Sequence, residues 1–179
     1  MIRGEDLPEP ETSRKTVGHS HVLSPGMRTE NKTRAVIVRL IHKAAFRLRR
    51  LGYVASKMDV KLRYFDRGLK WKKTLKMTKR SDTQSMIEAF SSVWPDRPRG
   101  LTPLSVSVTL YDLNPSGGTA YPLFSREIKR DKLALAVDRI NERYGTNSIY
   151  YAPMHGATES APMRISFTSI PDIVAEGNK

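Results

Sequence analysis

The sequence contains no cysteine, so it can form no disulfide, no thiolate zinc site and no cysteine nucleophile. It is also short of acidic residues, with 18 Asp and Glu against 31 Lys and Arg. No apolar run approaches the roughly 20 residues that a helix needs to cross a bilayer. The N-terminus lacks the apolar stretch of a secretory signal. These absences predict a soluble, cytoplasmic protein with no membrane partner.

Positive charge is what the sequence has in excess, with a formal net charge of +13. Between Lys32 and Arg80 there are 17 Lys and Arg and only two Asp. A charge run is often only a solvated surface, but an excess this one-sided typically reflects a polyanionic partner. An anionic membrane would require leucine or aromatic residues beside the cations on a helix, and the polar face of the basic strands lacks them. Nucleic acid is therefore the favoured partner.

Periodicity predicts four strands and two helices over residues 15–115, in the order β-α-β-β-α-β. A first strand spans Lys15–Leu23, and a long helix starts after Thr29 and ends at Gly52. The stretch "FDRG" turns a hairpin, a second helix begins with a capping box at Ser81, and "LSVSVTLYDL" is the last strand. This order predicts an α+β fold in which two helices cover one face of a four-stranded sheet.

The two faces of the long helix differ in character. Its apolar stripe comprises Val36, Ile37, Leu40, Ile41, Ala44, Leu48 and Leu51. Arg39, Lys43, Arg47 and Arg50 fall on the opposite side. The stripe needs one face of the sheet for burial, which leaves the other sheet face uncovered.

Alternation along the strands assigns cations and small hydroxyls to that uncovered face. Tyr64 and Trp71 have the parity of the apolar core residues, so we expect no aromatic stacking platform there. A surface of Lys, Arg, Ser and Thr suits phosphate oxygens. The pattern favours contact with the nucleic-acid backbone and little reading of base sequence.

A second unit follows the break "NPSGG". Ser125 is positioned to cap a helix, which ends at Gly145. Its predicted apolar stripe comprises Ile128, Leu133, Val137, Ile140 and Tyr144. "SIYYA" and "MRISF" have the character of two short strands, so we expect a small α/β extension.

The stretches "RKTVGHSHVL", "FRLRRLGYVASKMDVKLRYFD" and "AFSSVWPDRPRGLTPLSVSVTLYDLNP" occur in an order and spacing that resemble a known domain. The domain that they resemble is the C-terminal little-finger domain of Y-family translesion DNA polymerases, the UmuC and DinB group. The resemblance covers about residues 15–115. It implies that residues 1–14 are a tether from a missing thumb, 15–115 the little finger and 116–179 a C-terminal extension.

The resemblance also implies a function in DNA repair and damage tolerance: gripping duplex primer–template DNA with the sheet. The implied DNA-binding residues are Lys15, Thr16, Gly18, Lys57, Lys61, Arg63, Lys72, Thr74, Lys76, Thr78, Ser105, Ser107 and Thr109. They coincide with the basic, hydroxyl-rich face inferred from alternation.

Catalysis is not expected from this chain. In the parent polymerase, palm carboxylates hold two Mg²⁺ ions, one of them in a motif like Ser-x-Asp-Glu, and two-metal phosphoryl transfer requires such ligands. Asp66 lies in the hairpin turn and Asp112 stands past the fourth strand, so neither completes such a set. His19 and His21 lie two residues apart on one strand face, but no third metal ligand is evident. We therefore predict no catalytic residue, metal or cofactor in this chain.

Two alternative functions stay open. The first is a stand-alone adaptor for a replication partner such as the sliding clamp, for which "AYPLFSRE" has the apolar and aromatic character of clamp peptides without their leading glutamine. If the chain is instead a little-finger domain, the missing polymerase core is a further expected partner. The second alternative is an RNA-binding protein of the same topology.

Overall fold

The computed structural model describes residues 15–118 and 125–161. Its strands and helices are β1 (Thr16–Val22), α1 (Glu30–Arg50), β2 (Tyr53–Tyr64), β3 (Lys70–Arg80), α2 (Thr83–Val93), β4 (Pro103–Pro115) and α3 (Ser125–Tyr144). The first six confirm the predicted β-α-β-β-α-β order. Single turns of 3₁₀ helix connect several of them, including Pro25–Met27 and Asp66–Gly68.

The four strands form one antiparallel sheet in the order β1-β4-β2-β3. The last strand therefore lies inside the sheet, between β1 and β2. Val108 of β4 is in register with His19 on one side and Val60 on the other. Helices α1 and α2 pack on one face of this sheet, which confirms the α+β fold class.

The core lies between the helices and the sheet. Six of the seven predicted stripe residues of α1 are buried: Val36, Ile37, Leu40, Ile41, Ala44 and Leu48. They meet Met58, Val60, Leu62, Val106, Val108 and Leu110 of the sheet in one cluster. Full burial of each large aliphatic side chain contributes roughly 1.5–3 kcal/mol, so this layer dominates the stability of the fold. Leu51 is 37% exposed because it lies past the last helical turn.

The helix ends follow from local chemistry. Gly52 has φ +72°, a left-handed conformation that ends α1 without a steric cost. The cap of α2 is Asp82, whose Oδ1 accepts from the Ser85 N–H at 2.8 Å. The predicted cap at Ser81 is therefore wrong by one residue, since the carboxylate of Asp82 occupies the capping position.

The C-terminal unit departs further from its prediction. Helix α3 buries Ala134, Val137 and Asp138, whereas Leu133, Ile140 and Tyr144 are 46%, 38% and 67% exposed. The small Ala134 allows close approach of α3 to the rest of the protein, and Asp138 is drawn inward by an ion pair with Arg49. Ser125 is the first helical residue and not a cap.

The strand predicted for "SIYYA" is absent from the described residues, where Ala152–Met154 form a 3₁₀ turn instead. Pro153 lies in the first turn of this 3₁₀ helix, a position that its fixed φ favours. The second predicted strand, "MRISF", lies outside the described residues.

The side of α1 opposite its apolar stripe is covered by this C-terminal unit. Arg39 and His42 are 6% and 7% exposed. Arg39 donates to Asn147 Oδ1, and Lys43 Nζ donates to the Ala161 carbonyl at 2.6 Å. Met154, Ala157 and Ala161 join the main core cluster. Residues 145–161 therefore pack on α1 as a third layer.

Candidate nucleic-acid interface

The face of the sheet opposite the helices carries four transverse rows of residues, in register across β1, β4, β2 and β3. The rows are Thr16–Tyr111–Lys57–Lys76, Gly18–Thr109–Asp59–Thr74, Ser20–Ser107–Lys61–Lys72 and Val22–Ser105–Arg63–Lys70. We call these sixteen positions the open face. They alternate along each strand with the core residues, as the two-residue period of a strand requires.

Eleven of the thirteen sequence-predicted site residues lie on the open face: Thr16, Gly18, Lys57, Lys61, Arg63, Lys72, Thr74, Lys76, Ser105, Ser107 and Thr109. Lys15 is exposed, but it precedes β1 and has the parity of the buried Val17. Thr78 is exposed where the pairing of β2 with β3 shifts register, so the register does not fix its side. DNA contact by these residues stays a prediction.

Charge is unevenly distributed over the open face. All six cations stand on the β2–β3 hairpin: Lys57, Lys61, Arg63, Lys70, Lys72 and Lys76. Strands β1 and β4 contribute hydroxyls instead: Thr16, Ser20, Ser105, Ser107 and Thr109. Lysine and arginine supply the charge that attracts a polyanion, whereas short hydroxyl side chains donate hydrogen bonds at close range.

Gly18 allows β1 to pack closely on β4. A Cβ atom at this position would lie 2.8 Å from the Val108 carbonyl oxygen and 3.1 Å from Thr109 Oγ1. Any side chain would force the two strands apart. Gly18 therefore has a structural reason to be glycine that is independent of a bound ligand.

The contacts of Asp59 are a feature of the open face that the sequence interpretation missed. Asp59 lies on the open face in register with Thr109 and Thr74, and it is only 8% exposed. Its carboxylate accepts from Thr74 Oγ1 at 2.7 Å, from Tyr111 Oη at 3.0 Å and from Lys72 Nζ at 2.8 Å. The alternation showed that Asp59 faces outward, but these partners come from two other strands.

The carboxylate of Asp59 is held in its ionised form. Burial raises its pKa, but the hydrogen bonds from Lys72, Thr74 and Tyr111 outweigh burial and leave the pKa below its usual value. The same contact raises the pKa of Lys72. The open face thus contains a permanent negative charge beside one of its cations.

Tyr111 is an aromatic residue of the open face that the sequence interpretation did not identify. It is half-buried on the open face, and Lys57 Nζ lies 6.0 Å from its ring centroid. Its position two residues after Thr109 on the same strand was the available signal. Tyr64 and Trp71 are buried, at 2% and 7% exposure, as their parity predicted.

The cations of the open face differ in how far they are neutralised. Lys72 forms an ion pair with Asp59, and Lys57 Nζ lies 3.5 Å from Asp112 Oδ2. Within residues 15–118 and 125–161, no ion pair is formed by Lys61, Arg63, Lys70 or Lys76. Three of these four, all except Lys76, stand toward the tip of the hairpin, where positive charge is therefore least compensated.

The histidine pair of β1 has surroundings that are unfavourable for a metal cation. His19 and His21 share one side of the strand, as predicted. Burial and, to a smaller extent, the nearby charges of Lys43, Arg47 and Arg39 together lower the pKa of His19 to about 4. In the part of the chain that the structure describes, no three His, Asp or Glu side chains are close enough together to hold a metal ion.

None of the helices that the structure describes is long and apolar enough to cross a membrane.

Residues 14–121, more than half of the chain, match the model of the impB/mucB/samB family C-terminal domain. The chain belongs to this family, and its predicted resemblance to the little-finger domain of Y-family DNA polymerases is confirmed. No curated protein matches the chain. The boundaries proposed at residues 15, 115 and 116 stay predictions.

Solved structures with a similar fold include two from this group. One is a complex of the β-clamp processivity factor with the little-finger domain of PolIV, at 19% identity and a TM-score of 0.46, covering 60% of this chain and 97% of that one. The other is a Y-family DNA polymerase chimera of Dbh and Dpo4, at 13% identity and a TM-score of 0.48. That match covers 61% of this chain and 31% of the chimera, so this chain spans about a third of the chimera's length.

Proposed function

We propose that this chain is the non-catalytic, DNA-binding little-finger domain of a translesion DNA polymerase, and that it grips duplex primer–template DNA through the open face. The observation that supports this most is that Lys61, Arg63, Lys70 and Lys76 are exposed together on the sheet face opposite the helices and form no ion pair among the described residues. A surface of this kind binds the sugar–phosphate backbone and contributes to damage tolerance by holding the template duplex.

The expected affinity is dominated by counterion release. Each phosphate neutralised by Lys or Arg adds about −0.9 to the slope of log K against log salt for B-form DNA. Four unpaired cations therefore predict a slope of about −3 to −4. The hydroxyls of β1 and β4 add short donors that fix the register of the backbone on the sheet.

Base stacking contributes little in this proposal. Proteins that recognise single-stranded RNA on a sheet stack bases on several exposed aromatic side chains. The open face has Tyr111 alone, and its hydroxyl is already bonded to Asp59. Duplex DNA should therefore compete better than single-stranded RNA, with little preference among sequences.

The first experiment measures binding of the full chain to a fluorescent duplex by anisotropy, between about 50 and 200 mM salt. The variant Lys61→Glu with Arg63→Glu reverses two cations of the open face. We expect its affinity to fall by about 100-fold, because two phosphate contacts become repulsions. A neutral peptide-nucleic-acid duplex should bind neither protein.

A matched control reverses two exposed cations of α3, Lys132→Glu with Arg139→Glu. The two double variants have the same net charge, so only the position of the change differs. The control should bind DNA almost as the unaltered chain does. Equal losses in both variants would show that overall charge, and not the open face, drives binding. Unchanged affinity in the open-face variant would instead favour the adaptor function.

A further inference from the structure

Asp59 is the only carboxylate among the sixteen positions of the open face. It lies on β2, one of the two inner strands, in the row that separates Lys57 and Lys76 from Lys61, Lys72, Arg63 and Lys70. A phosphate crossing this row would meet an anion. The six cations are therefore not one continuous positive surface.

The three contacts of Asp59 make its charge difficult to move. Lys72 and Thr74 approach from β3 and Tyr111 approaches from β4, so both neighbouring strands hold the carboxylate. Its side chain is 11% exposed, whereas that of Lys72 is 52% exposed. The carboxylate of Asp59 is fixed and almost buried, whereas half of the Lys72 side chain that neutralises it is exposed to solvent.

We propose that Asp59 is a positioning residue that limits the DNA affinity of the open face, because it withdraws Lys72 from phosphate contact and repels phosphate from the central row. This inference rests on the proposed function. It assigns unequal roles to cations that look equivalent in the sequence: Lys61 binds phosphate, whereas Lys72 balances Asp59.

Two opposing effects decide the outcome of removing the charge of Asp59. Loss of the ion pair frees the Lys72 side chain, which weakens any contact that depends on its fixed position. Loss of the anion also adds one net positive charge to the face. A lysine binds phosphate as a flexible point charge and needs little fixed geometry, so the gain in charge outweighs the loss of position.

The test is Asp59→Asn, which keeps the side-chain shape and an oxygen acceptor for Thr74 and Tyr111. We expect duplex binding about 8-fold tighter at ~0.1 M salt and a salt slope steeper by about 0.9, as one further counterion-releasing contact requires. Weaker or unchanged binding by a folded Asp59→Asn protein would overturn the inference. A thermal melt establishes that the variant is folded.

A second test compares the salt slopes of two lysine variants with and without Asp59→Asn. In the native background Lys72→Gln should leave the salt slope almost unchanged, because Lys72 makes no phosphate contact, even though the unneutralised Asp59 weakens binding. The matched Lys61→Gln should make the slope shallower by about 0.9. In the Asp59→Asn background, both substitutions should make the slope shallower by about 0.9. Equal changes of slope already in the native background would show that DNA releases Lys72 from Asp59, which contradicts the proposal.

Failure of this inference is distinguishable from failure of the proposed function. If the unaltered chain shows no salt-dependent duplex binding, both fail. If it binds, and Lys61→Glu with Arg63→Glu abolishes binding while Asp59→Asn leaves affinity and slope unchanged, only the role of Asp59 is rejected.

Discussion

Two groups of cations in this protein are similar in the sequence and opposite in their environment. On the open face, Lys61, Arg63, Lys70 and Lys76 are exposed and form no ion pair among the described residues. On the outer side of α1, Arg39 is buried and the Arg49 side chain is 7% exposed. Cations of a basic stretch can therefore remain exposed and available to a partner, or they can be buried and stabilise the fold. Which of the two occurs depends on whether another segment of the chain covers them.

Arg49 is a buried cation that stabilises the fold by connecting separate elements. Its Nε and Nη2 donate to the two oxygens of Asp138 at 2.6 and 2.7 Å, and Nη1 donates to the Ser81 carbonyl at 2.5 Å. These bonds connect α1 to α3 and to the turn before α2. Bidentate, charge-assisted bonds of this kind are geometrically specific, so Arg49 fixes how the C-terminal unit packs.

The largest effect on stability is expected from Arg49→Met. The substitution leaves Asp138 as a buried carboxylate without its partner, which costs about 3–5 kcal/mol when a buried pair is broken. Urea unfolding followed by circular dichroism measures the change. The matched control is Arg139→Met, an exposed arginine of α3, which should cost under about 1 kcal/mol. Similar losses in both variants would remove the distinction between the two groups.

A second, smaller effect depends on pH and belongs to the buried side of the comparison. Burial lowers the pKa of His42 to about 4, with Arg39 and Arg49 lowering it and Asp138 opposing them. His19 has a pKa lowered to about 4 by burial and by Lys43, Arg47 and Arg39. Both histidines are neutral in the folded protein at a pH where the unfolded chain already binds protons.

The sign of the pH dependence follows from linkage. The stabilisation is complete above about pH 6.5 and is lost as the pH falls from there toward about 4. Each histidine should account for about 2 kcal/mol between pH 7 and pH 5. Urea midpoints at the two pH values measure this. His42→Gln should flatten the dependence. A steep dependence that survives in the double variant of His19 and His42 would contradict the assignment.

The smallest effect on stability is expected from the open face. Lys61→Glu with Arg63→Glu should change the free energy of unfolding by under about 1 kcal/mol, because both residues are exposed and form no ion pair with any residue that the structure describes. The same variant should lose most of its DNA affinity. A loss of several kcal/mol would mean that these cations stabilise the fold, and the contrast with Arg49 would fail.

The sequence predicted this fold well where one element has one periodic face. Strand alternation placed Lys61 and Ser107 on the same side of the sheet, and the stripe of α1 identified its buried face. Prediction failed where two elements compete for one surface. On α3, Leu133 and Ile140 are more apolar than Asp138, yet Asp138 is buried because Arg49 provides a partner that no local pattern reveals.

The candidate site shows the same division. Its composition was predictable, since outward positions of four strands can be read from a two-residue period. The contacts of Asp59 were not, because Lys72 and Tyr111 are distant in the chain and meet it only in the register of β2 with β3 and β4. Tyr111 was missed for a different reason: the alternation that places Ser107 and Thr109 outward was not followed two residues further along the same strand.

The amino-acid sequence alone determined the α+β class, the order of the first six elements and the positive charge of one sheet face, because each of these depends on local periodicity and composition. The family followed from the resemblance of several stretches, in order and spacing, to the little-finger domain. Tertiary structure decided which cations remain available. The packing of residues 125–161 on α1 buries Arg39 and Arg49 against new partners, and the pairing of strands brings Asp59 to Lys72. Both outcomes depend on contacts between segments far apart in the chain, which a one-dimensional pattern does not contain.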